Sequence, residues 1–188
     1  MSRVYVLVEG PTDVAFLRRI LTEKALRGTE LVDAGGSSGI PSLARSVIVR
    51  RRCPVAVLMD SDSVDPDMID ERKQSTEDLI RAADASVPVK VVVVIPEIET
   101  WFLATPGAIG RILGQRPSED WIALAKRDPK RSLTRLAEQN NRIWNSIQAI
   151  ESLKPQDIKR IRALPEVAEL STFILGEHDR VEAQRERH

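Results

Sequence analysis

The chain has 188 residues with 28 basic and 28 acidic side chains, so its formal net charge is zero and bulk charge gives no sign of nucleic-acid binding. With 42% hydrophobic and 30% charged residues it has the make-up of an ordinary globular protein, long enough to bury a real core. Its longest apolar run, around Val91 to Ile95, is far too short to span a bilayer, and the single cysteine, Cys53, excludes an intramolecular disulfide and any cysteine-rich zinc site. Met1-Ser2-Arg3 runs straight into an apolar segment, so no signal peptide is expected and the composition points to a cytoplasmic protein with no membrane partner.

In chain order, Arg3 to Val8 reads as a buried strand and Thr12 to Leu26 as a helix with Val14, Leu17, Leu21 and Ala25 on one face. Thr12 or Asp13 would cap that helix. Glu30 to Ala34 is a second, short strand, Gly35-Gly36-Ser37-Ser38-Gly39 a turn, and Ile40 to Arg51 a helix begun by Pro41. Pro54 to Met59 is the third strand, Asp67 to Ala85 a polar helix, and Val89 to Ile95 the fourth strand. Continuous apolar strands alternating with helices predict an α/β fold, a parallel sheet covered on both faces. From Thr100 onwards only helical spacing is found, over 100–113, 118–126, 130–139, 143–153, 155–163 and 166–175. The charged tail from Glu177 to His188 is expected to fray. The expected organisation is an α/β core over 1–114 with a helical extension over 115–188 packed on it.

Three acidic motifs directly follow apolar strands. They are Glu9-Gly10-Pro11-Thr12-Asp13, Asp60-Ser61-Asp62, and Glu97-Ile98-Glu99. In an open parallel sheet the carboxyl ends of the strands form the ligand crevice, so the three motifs should converge there. Carboxylates crowded together repel unless a cation neutralises them, and hard oxygen ligands suit Mg²⁺ or Mn²⁺. Asp13 also suits a helix cap, Asp62 a turn before Asp65-Pro66, and Glu97 a solvated helix start. Glu9, directly after a buried strand, has little structural use that the sequence reveals.

Other residues carry weaker signals. Arg45, Arg50, Arg51 and Arg52 precede the second motif, and Lys126, Arg127, Lys130, Arg131 and Arg135 form a later basic group. Such groups are ordinary solvated helix faces, but beside an acidic metal site they would also suit a phosphodiester. The backbone amides of Gly35, Gly36, Ser37 and Ser38 could hold a phosphate, or the segment could be a plain turn. Trp101 and Phe102 read as core, Trp121 and Trp144 as anchors of the helical part, and His178 and His188 receive no role.

An apolar strand ending in Glu-Gly-x-x-Asp, followed by one ending in Asp-x-Asp, resembles the Toprim fold of topoisomerases, primases and small nucleases. With Glu97-Ile98-Glu99 and the later Asp128-Pro129-Lys130, the chain is most similar to the Toprim domain of the OLD family of nucleases, over roughly residues 3 to 135. That resemblance implies a two-metal, Mg²⁺- or Mn²⁺-dependent nuclease acting on DNA, in a family that includes phage-defence proteins. It makes Glu9 and Asp60 catalytic and Glu9, Asp13, Asp60, Asp62 and Glu99 metal ligands. It puts Lys130 near the scissile phosphate; Arg51 and Arg131, from the two basic groups, are expected as further substrate contacts because a phosphodiester beside the metal site needs positive charge. Glu97 stands where the family usually has serine, which leaves its part in metal binding open. OLD proteins carry an ABC-type ATPase ahead of the Toprim domain; this sequence has no Gly-x-x-x-x-Gly-Lys-Ser/Thr, so an ATPase is expected to come from a partner protein or to be absent.

Toprim folds serve several chemistries. The only tyrosine, Tyr5, lies in the predicted first strand, which excludes a tyrosine nucleophile, and zinc-binding cysteines for a primase are missing. A small Toprim ribonuclease and a non-catalytic, metal-binding regulatory subunit remain as alternatives. Asp60-Ser61-Asp62-Ser63-Val64 also fits the haloacid-dehalogenase phosphatase pattern, although that motif normally follows a first strand.

Overall fold

The computed structural model describes residues 4–185, so Arg3 and His188 lie outside the described residues. Four strands, β1 (Val4–Val8), β2 (Thr29–Asp33), β3 (Val55–Asp60) and β4 (Val89–Val94), form one sheet in the order β2-β1-β3-β4. All three pairings are parallel, with Leu7 level with Val32 and Val57, and Asp60 level with Val94. The strands carrying the acidic motifs, β1, β3 and β4, are therefore direct neighbours.

Helices fill the connections: α1 (Pro11–Ile20) and α2 (Glu23–Leu26) after β1, α3 (Ile40–Arg51) after β2, and α4 (Pro66–Arg81) after β3. After β4 come α5 (Thr100–Leu103), α6 (Pro106–Leu113), α7 (Glu119–Ala125), α8 (Pro129–Gln139), α9 (Ser146–Glu151), α10 (Pro155–Arg162) and α11 (Pro165–Arg185). Proline opens α1, α4, α6, α8, α10 and α11, where its fixed φ suits the first turn and its missing N–H has no intrahelical acceptor to lose. The same rule divides two stretches that read as single helices. Pro106 starts α6 and so splits 100–113, while Thr22 caps α2 by accepting the Ala25 amide at 3.2 Å and so splits 12–26.

The sheet buries both faces. Val4, Val6, Val8, Ala56, Leu58, Val92 and Val94 face a core completed by Phe16, Trp101, Phe102, Ile109, Leu133, Leu170 and Ile174. Tyr5, Leu7, Val55, Val57, Met59 and Val91 face a smaller core with Ile40, Ala44, Ile48 and Ile80. Alternate residues of each strand thus serve opposite cores, as the period of two requires. The helices after β4 build most of the larger core. The tail expected to fray is instead helical to Arg185. Its Glu177 is buried, and the His178 ring lies 3.4 Å from the Thr29 hydroxyl, so α11 is held against the start of β2. No helix among the described residues is long and apolar enough to cross a membrane.

Trp101 is fully buried, edge-on to Phe16 at 5.0 Å, and its indole N–H donates to Glu166 of α11 at 2.8 Å. Trp101→Ala should therefore lower the unfolding free energy by about 3–5 kcal/mol, the cost of emptying a large aromatic site. Trp144→Ala, at a partly buried position, should cost distinctly less; urea denaturation of both variants checks the order.

Candidate functional site

β1 ends at Val8, and Glu9 turns its side chain across to the neighbouring strand, where Oε1 accepts the Asp60 backbone N–H at 3.0 Å. The carboxylate stands in for a carbonyl that β1 no longer supplies and closes the β1–β3 ladder. Glu9 thus has a structural task that the sequence does not reveal. Neither Thr12 nor Asp13 is the N-cap, because α1 already begins at Pro11 with Gly10 in that position; Asp13, in the first turn, instead reaches back and accepts the Gly10 N–H at 2.9 Å.

The second motif is fixed to the third. The Ser61 amide donates to Val94 O at 2.9 Å, and the Asp62 amide to Pro96 O at 3.1 Å. The buried Ser61 hydroxyl bonds Ser63 O at 2.5 Å and Pro96 O at 3.3 Å. Asp62 adopts a left-handed φ of 54° on this turn rather than an extended strand end, and its carboxylate meets Arg72 of α4 at 2.8 Å. In the third motif, Glu97 Oε1 accepts the Lys130 backbone N–H at 2.8 Å. A carboxylate from the strand end thereby satisfies an amide at the α8 N-terminus, where the helix dipole favours negative charge. Glu99 is 5% exposed and accepts the Ser146 hydroxyl at 3.4 Å; that hydroxyl in turn accepts the Trp144 indole N–H at 3.2 Å.

Asp60 lies at the centre of this arrangement. Its carboxyl is pushed up to about 8, first by burial and then by the negative charges of Glu9, Asp13, Glu99 and Glu97. Burial also raises Glu9, against the lowering effect of the Asp60 amide, and raises Asp13 and Glu97 against their own amide donors. Each of the other carboxylates accepts a hydrogen bond from an amide, a hydroxyl or a guanidinium. Asp60 alone of the six has no such donor among the described residues, and its shift is the largest.

All six motif carboxylates therefore gather at the carboxyl end of β1, β3 and β4. Among the described residues, however, no three His, Cys, Asp or Glu side chains are grouped closely enough to hold an ion as they stand. Asp13, Asp62 and Glu97 each have one oxygen engaged by a protein donor, which leaves the other oxygen of each carboxylate for an ion. The donor set itself is all carboxylate oxygen, which matches a hard divalent cation.

The expected substrate residues divide. Gly36 donates to Glu9 O at 2.7 Å and so braces the first motif, while Gly35 donates to the Asp33 carboxylate at 2.8 Å and closes a turn at the end of β2, so neither amide is presented to a phosphate. The turn needs its glycines: Gly36 has φ 112°, and a Cβ on Gly39 would come within 2.3 Å of Ala34 O. Ser37 and Ser38 continue this loop into α3. Arg51 does not belong to the crevice. It ends α3, next to the start of β3, and lies 5.5 Å over the Tyr5 ring at the amino end of the sheet. Lys130 is exposed beside Glu97, and Arg131 pairs loosely with Asp128 at 3.9 Å. Sequence reasoning missed Arg72 and Ser146, both drawn in from helices with no motif of their own.

Asp60 binds its proton more tightly in the folded than in the unfolded chain. In the metal-free protein its contribution to stability therefore declines as pH rises from its ordinary value of 3.8 towards about 8. Asp60→Asn should raise Tm at pH 8, with roughly 2–4 °C expected per kcal/mol relieved. The gap should close towards pH 4; thermal unfolding of both proteins across that range checks the sign.

Residues 1–62 match the family profile described as Overcoming lysogenization defect protein-like, TOPRIM domain. No match was found among curated proteins. Among solved structures, the C-terminal region of the Burkholderia pseudomallei OLD protein is 17% identical, covers 93% of this chain and 97% of its own, and superposes with a TM-score of 0.50. The C-terminal region of the Xanthomonas campestris pv. campestris OLD protein is 19% identical over 95% of this chain and 97% of its own, with a TM-score of 0.49. The chain has a Toprim α/β fold, and through its first third it resembles the Toprim domain of OLD proteins.

Proposed function

We propose that this chain is a divalent-metal-dependent nuclease that hydrolyses phosphodiester bonds, with DNA as its main substrate. The observation that carries the reading is the gathering of carboxylates around Asp60, whose carboxyl is pushed up to about 8 by burial and then by the negative charge of Glu9, Asp13, Glu99 and Glu97. A cluster with this much like charge is relieved by cations, and Glu9, Asp13, Asp60, Asp62, Glu97 and Glu99 would hold Mg²⁺ or Mn²⁺, as two ions. When bound, such a pair stabilises the attacking and leaving oxygens of an in-line displacement. The chain's own contribution is positioning. Glu9 and Asp60 are fixed to each other across β1 and β3, and Glu97 and Glu99 are fixed by α8 and Ser146. Lys130, at the α8 N-terminus beside Glu97, would lend its ammonium to the phosphate as charge grows on it, with Arg131 and the Ser37–Ser38 loop as outer contacts.

The match of residues 1–62 to the OLD-like Toprim profile supports this chemistry and motivates a role in phage defence, in the cytoplasm, with a partner ATPase. A second reading is a metal-binding regulatory subunit without turnover. It is favoured by the engagement of Asp13, Asp62 and Glu97 with protein donors.

Incubation with plasmid, single-stranded DNA and RNA should give cleavage that needs added Mg²⁺ or Mn²⁺, is not supported by Ca²⁺ and stops on chelation. Asp60→Ala should abolish it with the fold intact. Cleavage surviving exhaustive chelation would refute the mechanism; cutting of RNA alone would favour the ribonuclease; no cutting of any substrate favours the regulatory subunit. Lys130→Ala should slow cleavage by about 10²-fold, as loss of a transition-state charge stabiliser does, with Tm nearly unchanged.

A further inference from the structure

Among the described residues, the one guanidinium in contact with a motif carboxylate is that of Arg72, on α4. Its Nη1 donates to Asp62 Oδ2 at 2.8 Å and to Ser61 O at 3.3 Å. Both bonds use one nitrogen of a fork that carries five donors, and its remaining donors have no partner among the described residues. The arginine side chain is 29% exposed while the Asp62 side chain is 64% exposed, so the guanidinium is recessed and the carboxylate is within reach of solvent ions. The positive charge also extends inward, favouring the ionised form of Glu9. Arg72 stands at a groove of about 340 Å³ lined also by Asp62, Ser63, Met68, Glu71 and Ser75, roomy enough for a phosphate with its sugar. Exposed Val64 and Met68 offer apolar surface for the attached nucleoside.

We propose that this groove is a subsite for a phosphodiester phosphate of the substrate, with Arg72 as its positioning residue, and that Asp62 holds Arg72 in waiting until a divalent cation takes that carboxylate. The inference rests on the nuclease reading of the same crevice. An exposed ion pair is weak, so a cation displaces the guanidinium at little cost. Once Asp62 is neutralised, the freed fork faces an anion in bidentate geometry, which a lysine cannot reproduce. Metal arrival and substrate grip are then coupled through one side chain: before the cation binds, Asp62 neutralises the arginine that would otherwise attract phosphate.

The test measures Mn²⁺ affinity by electron paramagnetic resonance on the full chain, and DNA affinity by fluorescence anisotropy at saturating Mn²⁺. Arg72→Gln should tighten Mn²⁺ binding about two- to fivefold, the scale of an exposed ion pair removed. The effect should vanish when Asp62→Asn is already present. The same variant should weaken DNA binding about tenfold or more, in the range of a lost charge-assisted bidentate contact. Arg72→Lys should retain wild-type Mn²⁺ affinity yet bind DNA poorly, which guards against a misfolded glutamine variant. Unchanged Mn²⁺ affinity in Arg72→Gln, or unchanged DNA affinity in both variants, overturns the proposal. A wild type that binds DNA but cuts nothing sinks the nuclease reading instead, and the Arg72 comparison still decides the subsite.

Discussion

Mutual repulsion among carboxylates at the carboxyl ends of three adjacent strands is the constraint around which the rest of this molecule is arranged. Asp60 bears it most fully, with burial and four neighbouring negative groups opposing its ionisation. The fold answers by giving each neighbour a donor from a different element: a β3 amide for Glu9, the turn before α1 for Asp13, α4 for Asp62, α8 for Glu97 and the start of α9 for Glu99. Asp60, the group without such a donor among the described residues, answers the same repulsion by keeping its proton well above the usual carboxylate range.

That distribution of donors explains why the helices after β4 are more than a cover. They contribute Trp101 and the long α11 to the larger core, and they return to the crevice twice, through the Lys130 amide and the Ser146 hydroxyl. The tie between Trp101 and Glu166 joins the third motif's own helix, α5, to α11 on the sheet. The crevice is thus supported from both sides of the strand ends, and movement of the third motif cannot be independent of α8.

The strands and the acidic motifs were legible in the sequence because both signals are local. A short, valine-rich apolar run bounded by turn residues reads as a strand buried on two faces, and a carboxylate directly after it emerges at the strand's end. Parallel pairing then brings such ends together, which is why Glu9 and Asp60 meet although 51 residues separate them. What the sequence hid were contacts set by how helices fold back. Arg72 reaches Asp62 from the second turn of α4, and Ser146 reaches Glu99 across 47 positions; neither sits in a recognisable pattern. Arg51 misled for the opposite reason. It stands close to the second motif in sequence, but a helix crossing back over a parallel sheet ends at the amino edge, a full strand length from the acidic ends. The tail from Glu177 misled because its charges suggest solvent, whereas one face of α11 carries Leu170, Ile174 and Glu177 inward.

The hydrogen-bonded relay from Trp144 through Ser146 to Glu99 makes the crevice optically readable. An indole whose N–H is tied to a hydroxyl that itself donates to Glu99 is coupled to the charge and orientation of that carboxylate. Its ring also stands edge-on to Phe102 at 5.1 Å, which packs the chromophore against the core beside the crevice. The molecule carries, in its own aromatic residues, a dye already mounted on the centre whose occupancy one would wish to follow.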